Sequence, residues 1–239
     1  IVPYASGDIH DTGSYQKEGF QRLGVKNVEY IHVDKKDIDT PEALKQLDGV
    51  TGIFFSGGDQ NRLTQLLLGT KFLEKIRKIH ADGGVIGGTS AGAAIMSKIM
   101  LTGEELNAPE KRKGDFSYIQ KGNVDVTEGF GFVDNAIIDQ HFIKRARENR
   151  FFSAAFDHPE VTAFGIDEAT AMVVSNGNDG EIISILDARK IFCIREEIKN
   201  TGYNKYRSSI IAKEVSEKTV SYIEEMGSNL PGADISSST

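Results

Sequence analysis

A serine at the apex of a Gly-x-Ser-x-Gly turn is the first pattern in this chain that could do chemistry. In Gly87-Gly88-Thr89-Ser90-Ala91-Gly92-Ala93-Ala94-Ile95-Met96, an apolar run through Val85 and Ile86 stops at glycines and a small-residue helical pattern follows Ser90. That is the strand–turn–helix setting of a nucleophile elbow. A turn this tight forces an unfavourable backbone angle on its apex residue, and only small neighbours fit around it. The hydroxyl then stands at a helix N-terminus, where backbone N–H groups can stabilise an oxyanion. A plain glycine-rich turn carries the same letters, so the reading depends on partners elsewhere.

A serine hydroxyl is a weak nucleophile until a base takes its proton. Of the five histidines, His10 and His32 lie early beside Asp11 and near Asp34, His80 falls late in an amphipathic pattern, and His158 precedes a proline. His141 follows Ile137-Ile138-Asp139-Gln140, so a buried strand delivers it to the same sheet edge as Ser90. The base needs an acid to hold its tautomer. Gly165-Ile166-Asp167-Glu168-Ala169-Thr170-Ala171 sets two carboxylates where one strand ends and another begins; either this is a solvated turn, or Glu168 orients His141. Ser56-Gly57-Gly58-Asp59-Gln60 also ends a strand, and the Gly58 amide could complete an oxyanion hole with that of Ala91. Lys144-Arg145-Ala146-Arg147-Glu148-Asn149-Arg150 reads as a solvated helix face or as a site for a carboxylate, which bidentate arginine suits. No histidine pair has the spacing of H-E-x-x-H, so no metal is implied, and no phosphate-binding glycine loop is present.

The elements that must position these residues alternate between strand and helix. Residues 1–6 read as the end of a buried strand with no initiator Met, so a preceding part of that strand is expected upstream. Residues 11–24 follow as a helix, 28–33 as an alternating strand, and Thr40-Pro41-Glu42 as a capped helix start. Gly52-Ile53-Phe54-Phe55-Ser56 has the continuous apolar character of a central parallel strand. Two helices carry Leu63, Leu66 and Leu67, then Phe72, Ile76 and Ile79, ahead of the elbow strand. Residues 136–138 form a strand, 142–156 a helix, and 161–166, 171–175, 182–186 and 191–194 four short strands, with a hairpin turn at Asn176-Gly177-Asn178-Asp179-Gly180. Residues 103–128 are polar and turn-rich, as in a lid or a disordered loop. A closing helix is expected at 216–226 and a mobile tail from about 227. The pattern predicts an α/β fold, a doubly wound and mostly parallel sheet, in one domain over 1–239. Ligands of such sheets bind beyond the carboxyl ends of the strands, where Ser90 falls.

Bulk properties narrow the classes. The 239 residues are 39% hydrophobic and 26% charged, an ordinary globular balance. A net charge of −7 argues against nucleic acid as a partner, and no apolar run is long enough for a membrane. The single cysteine, Cys193, sits in an apolar run as a core residue; it allows no internal disulfide and fits a reducing compartment.

These blocks together resemble the cyanophycinases, serine peptidases grouped with aspartyl dipeptidase. The resemblance rests on Gly57-Gly58-Asp59-Gln60, Gly88-Thr89-Ser90-Ala91-Gly92-Ala93, Asp139-Gln140-His141-Phe142 with Arg145, Arg147 and Arg150, and Gly165-Ile166-Asp167-Glu168 with Thr170 and Ala171. It runs in family order over roughly residues 1–195. It implies a flavodoxin-like, class I glutamine-amidotransferase-like fold with Ser90 as nucleophile, His141 as general base and acid, and Glu168 as its partner. Gln60, Asp139, Gln140, Arg145, Arg147 and Arg150 fall where the family lines its substrate pocket, with Asp139 able to receive a guanidinium. Such enzymes cleave cyanophycin, a polyaspartate with arginine on each β-carboxyl, into β-Asp-Arg dipeptides. They are homodimers without a cofactor, and a cytoplasmic location follows, with export left open by the start of the chain. Two alternatives share the scaffold: a dipeptidase of aspartyl or isoaspartyl peptides, and a non-catalytic binding protein. The loop at 103–128 and the region beyond about 200 have no counterpart in the resemblance.

Overall fold

In the computed structural model, residues 1–107 and 114–174 are described in full, and residues 175 and 179–184 by their backbone. Cys193, the strand at 191–194, the helix at 216–226 and the tail lie outside these residues, as does most of the turn at 176–180. Residues Ile1–Gly180 form one compact unit.

Its centre is a parallel pairing. Strand β1 (Gly52–Phe55) runs beside β2 (Val85–Gly88), with Phe55 opposite Gly88. Val2 bridges Phe55 in parallel on the other side of β1. The crossover from β1 to β2 passes through α3 (Gln60–Leu67) and α4 (Lys71–Ala81). Their starts follow from capping: Asp59 accepts the Asn61 N–H, and Thr70 accepts that of Leu73. Leu63, Leu67, Phe72 and Ile76 on their inner faces are fully buried with Phe55, Tyr4 and Val2. Before β1 stand α1 (Ile9–Arg22), capped by Asp8, and α2 (Pro41–Lys45), capped by Thr40 with proline in its first turn.

A second parallel pair holds the other half of the site. Strand β5 (Ala136–Gln140) matches β6 (Thr162–Ile166), with Gln140 opposite Ile166, and α6 (Glu148–Asp157) connects them. All five residues of β5 are buried. Ile138 belongs to the main core and Ile137 to a second cluster with Leu101, Val124, Phe116 and Ala154, so apolar matter covers both faces of the strand. Strand β7 (Thr170–Ser175) follows β6, and β8 is Asp179–Ser184.

Three expectations are corrected. Residues 28–33 form no strand: Ile31 donates to the Ile1 carbonyl, the Ile1 amino group to Glu29, and Tyr4 Oη to Val33, which ties the segment down without a ladder. The helix expected at 142–156 begins only at Glu148, because His141 and Ala146 adopt left-handed backbone angles that a helix cannot continue through. The polar stretch 103–128 is partly ordered strand. Its ends belong to β3 (Ile99–Glu105) and β4 (Val124–Glu128), an antiparallel pair.

The connection between β3 and β4 is fastened from beneath. The buried Glu105 carboxylate accepts the N–H groups of Gly114 and Phe116 and the Asn123 amide. Ser153 and Asp157 of α6 accept the N–H groups of Gln120 and Gly122, and the Asn149 amide donates to the Phe116 carbonyl.

Candidate active site

Ser90 closes the turn between β2 and the single helical turn α5 (Ala91–Ala94), with φ 52° and ψ −112°. Those angles are strained for any residue with a side chain, and the packing around them explains why they persist. A Cβ on Gly88 would lie 2.2 Å from the Gly92 carbonyl oxygen, and one on Gly92 would lie 2.2 Å from that of Phe55. The elbow therefore presses on the backbone of β1, and nothing there can give way. Gly92→Ala is expected to cost about 3 kcal/mol of folding stability. Chemical denaturation checks this, and an unchanged midpoint would refute the close approach.

His141 stands at the first position beyond β5, at φ 52°. The Phe142 ring behind it packs where a Cβ on Gly165 would come within 2.6 Å, so glycine in β6 makes room for the turn. Glu168 lies in the turn from β6 to β7, just before Ala169 at φ 54°.

These three segments, far apart in sequence, meet. His141 Nε2 is 2.9 Å from Ser90 Oγ, and His141 Nδ1 is 2.6 Å from Glu168 Oε1. The Glu168 carboxyl is held down at about 2 by hydrogen bonding with Asp167 and then with His141. Ionised, it can only accept, so Nδ1 carries the proton. Nε2 is then left with its lone pair towards the Ser90 hydroxyl, which donates to it. The arrangement can take a proton from the serine and keep the resulting imidazolium paired with a carboxylate. The side chain of Glu168 is 46% exposed, so water shares that carboxylate.

The Gly57–Gly58 turn flanks the serine. A Cβ on Gly57 would be 3.3 Å from Ser90 Cβ, and Gly58, at φ 137°, passes so close to Ala5 that a Cβ would meet its carbonyl oxygen at 2.2 Å. Asp59 N–H donates to that same carbonyl at 2.9 Å. Ala91 is the first residue of α5, so its N–H has no acceptor within the helix.

The expected pocket residues fall differently. Asp139, Arg150, Gln140 and Gln60 are only 1%, 6%, 7% and 9% exposed. Arg150 grips Asp139 through two bonds, Nε to Oδ2 at 2.7 Å and Nη2 to Oδ1. In this structure the guanidinium on Asp139 is supplied by the chain itself. Gln60 Nε2 donates to the carbonyls of Leu101 and Thr102 at 3.0 and 3.1 Å. Arg147 turns inward onto Gln140, while Arg145 is exposed. An arginine cluster reads the same whether its forks face water or a buried carboxylate, which is why spacing alone misplaced them. Asp167 gains a part beyond its influence on Glu168: its Oδ1 accepts the Lys144 N–H at 3.3 Å, tying the turn after β5 to the turn after β6. The other histidines go elsewhere: His10 and His32 against Tyr30, His80 against Phe132, His158 beside Glu160. Among the described residues, no cluster of three His, Cys, Asp or Glu side chains could hold a metal, and no helix is long and apolar enough to cross a membrane.

The sequence profile of peptidase family S51 matches residues 1–182. The chain belongs to that family. Among S51-like relatives, a cyanophycinase of Synechococcus elongatus is 36% identical over 181 residues, covering 74% of this chain and 53% of the relative. One from Geminocystis herdmanii (strain PCC 6308) is 35% identical over 185 residues, covering 77% of this chain and 65% of the relative. The chain thus spans between about half and two thirds of the length of these relatives. Among solved structures, a peptidase from an acI-B1 Actinobacterium is 26% identical, with a TM-score of 0.56 over 77% of this chain and 72% of that one. The S51 chain has the α/β fold with parallel strand pairs expected from its sequence.

Proposed function

We propose that this chain is a serine exopeptidase of the cyanophycinase type, hydrolysing cyanophycin or a related β-linked Asp-Arg polymer to β-Asp-Arg. The observation that carries the reading is the unbroken relay from Ser90 through His141 to Glu168. Ser90 Oγ attacks a backbone carbonyl carbon as its proton passes to His141 Nε2. The amides of Gly58 and Ala91 receive the oxyanion. Nε2 then returns that proton to the leaving amine, the C–N bond breaks, and an ester on Ser90 remains. Water gives a proton to Nε2 and adds to the ester, and the serine regains its hydrogen as the acid departs. Throughout, Nδ1–H stays bonded to Glu168. Arg145, the exposed arginine, meets a substrate carboxylate, while Gln60, Asp139, Gln140, Arg147 and Arg150 hold the pocket wall behind it. The reading carries with it a homodimer that needs no cofactor, no nucleic acid and no membrane, in the cytoplasm.

Product analysis tests it directly. Purified protein is incubated with cyanophycin, β-Asp-Arg, β-Asp-Lys and α-Asp dipeptides, and a fluorophosphonate is used to label the serine. Release of β-Asp-Arg from the polymer is the expected result. Turnover of α-Asp dipeptides alone would turn the reading to a dipeptidase. Failure of both turnover and Ser90 labelling would make the chain a binding protein.

A further inference from the structure

Strand β5 brings His141 to the sheet edge, but only a left-handed turn at His141 aims the ring between Ser90 and Glu168. Such an angle is strained for an L-residue and persists where surrounding bonds over-determine it. Those bonds converge on one residue six positions later. Arg147 Nη1 donates to the Gln140 backbone carbonyl, and to the Gln140 side-chain oxygen. The same nitrogen lies 3.4 Å from Asp139 Oδ1. From its own backbone, Arg147 N–H donates to the Phe142 carbonyl at 3.0 Å. One residue therefore bonds the carbonyls on both sides of His141.

Its surroundings leave it little choice. Asp139 Oδ1 also accepts the Gln140 N–H at 2.9 Å, and Arg150 fixes the whole carboxylate from below. Burial, and then the neighbouring Arg150 charge, lower the Arg147 guanidinium to about 10, which still leaves it charged near neutral pH. The Arg147 side chain is 14% exposed, against an exposed Arg145 two positions earlier.

We infer that Arg147 is a positioning residue: by gripping the carbonyls of Gln140 and Phe142 it sets the His141 ring between Ser90 and Glu168. The inference rests on the serine-peptidase reading above and separates Arg147 from Arg145, whose task is the substrate. A substrate-binding arginine changes KM when removed. A positioning one changes kcat and the state of the imidazole before any substrate arrives.

The test compares the full chain with its Arg147→Ala and Arg147→Lys variants. Each is assayed on cyanophycin and, free of substrate, by proton NMR for the far-downfield resonance of His141 Nδ1–H bonded to Glu168. In Arg147→Ala, kcat is expected to fall about 100-fold, the scale of a small misplacement at a reacting group. KM should stay within about threefold of wild type. The downfield resonance should vanish, and added guanidinium ion should restore both resonance and kcat. A resonance intact in Arg147→Ala, or a raised KM at unchanged kcat, would overturn the inference. If the alanine variant does not fold, the lysine variant decides, because its ammonium ends one bond short of the Nη1 position that meets these oxygens; wild-type resonance and kcat there would also overturn it. A wild-type protein that shows the resonance yet cleaves nothing would sink the peptidase reading and leave the claim about the ring to stand or fall on the spectra.

Discussion

Ser90→Ala is expected to lower kcat on the polymer on the order of 10⁵-fold, with only the oxyanion donors and binding left to help. Because Ala91 and Gly58 are untouched, KM should hardly move, and the loss should sit in the acylation step. Folding should not suffer. Alanine carries the same unfavourable φ of 52° that serine does, and no hydrogen bond beyond the one to His141 is given up. Denaturation midpoints for the two proteins should therefore agree, which separates a chemical loss from a structural one. Wild-type release of β-Asp-Arg by the variant would remove Ser90 from the mechanism.

Glu168→Gln should cost about 10³-fold in kcat, somewhat less than a fully buried member of such a relay, since water already reaches this carboxylate. An amide can offer its NH₂ to Nδ1. The ring then carries its proton on Nε2, where it can no longer accept one from serine. The pH profile supplies the independent check. With Glu168 held at about 2, it stays ionised throughout the acid limb, and the fall in kcat/KM should follow a single proton. A limb that follows two protons would show that Glu168 titrates in the working range. For stability the sign is that of a depressed carboxylate: its contribution is full above the unfolded value and is lost as pH falls towards about 2.

Much of the relay was legible because each member stands at the end of a strand pattern. Val85-Ile86 ahead of Ser90, Ile137-Ile138 ahead of His141, and Phe164 and Ile166 ahead of Glu168 all read as buried runs that stop at one edge. A doubly wound sheet collects such edges by topology. What stayed hidden depended on direction rather than on type. Arg145, Arg147 and Arg150 share a spacing that suits a helix, yet the left-handed angles at His141 and Ala146 break that helix and turn two of them inward. Nothing in the letters marks those angles, since neither residue is glycine. Residues 28–33 alternate like a strand but, among the described residues, exchange backbone bonds with Ile1 alone, and the periodicity cannot know how much partner is on offer.

The straps under the β3–β4 connection have a further meaning. They are drawn from Glu105, Asn149, Ser153 and Asp157, none of which belongs to the proton relay. The exposed Tyr118 and Ile119 of that connection can therefore be exchanged while the alcohol, the imidazole and the carboxylate stay in register.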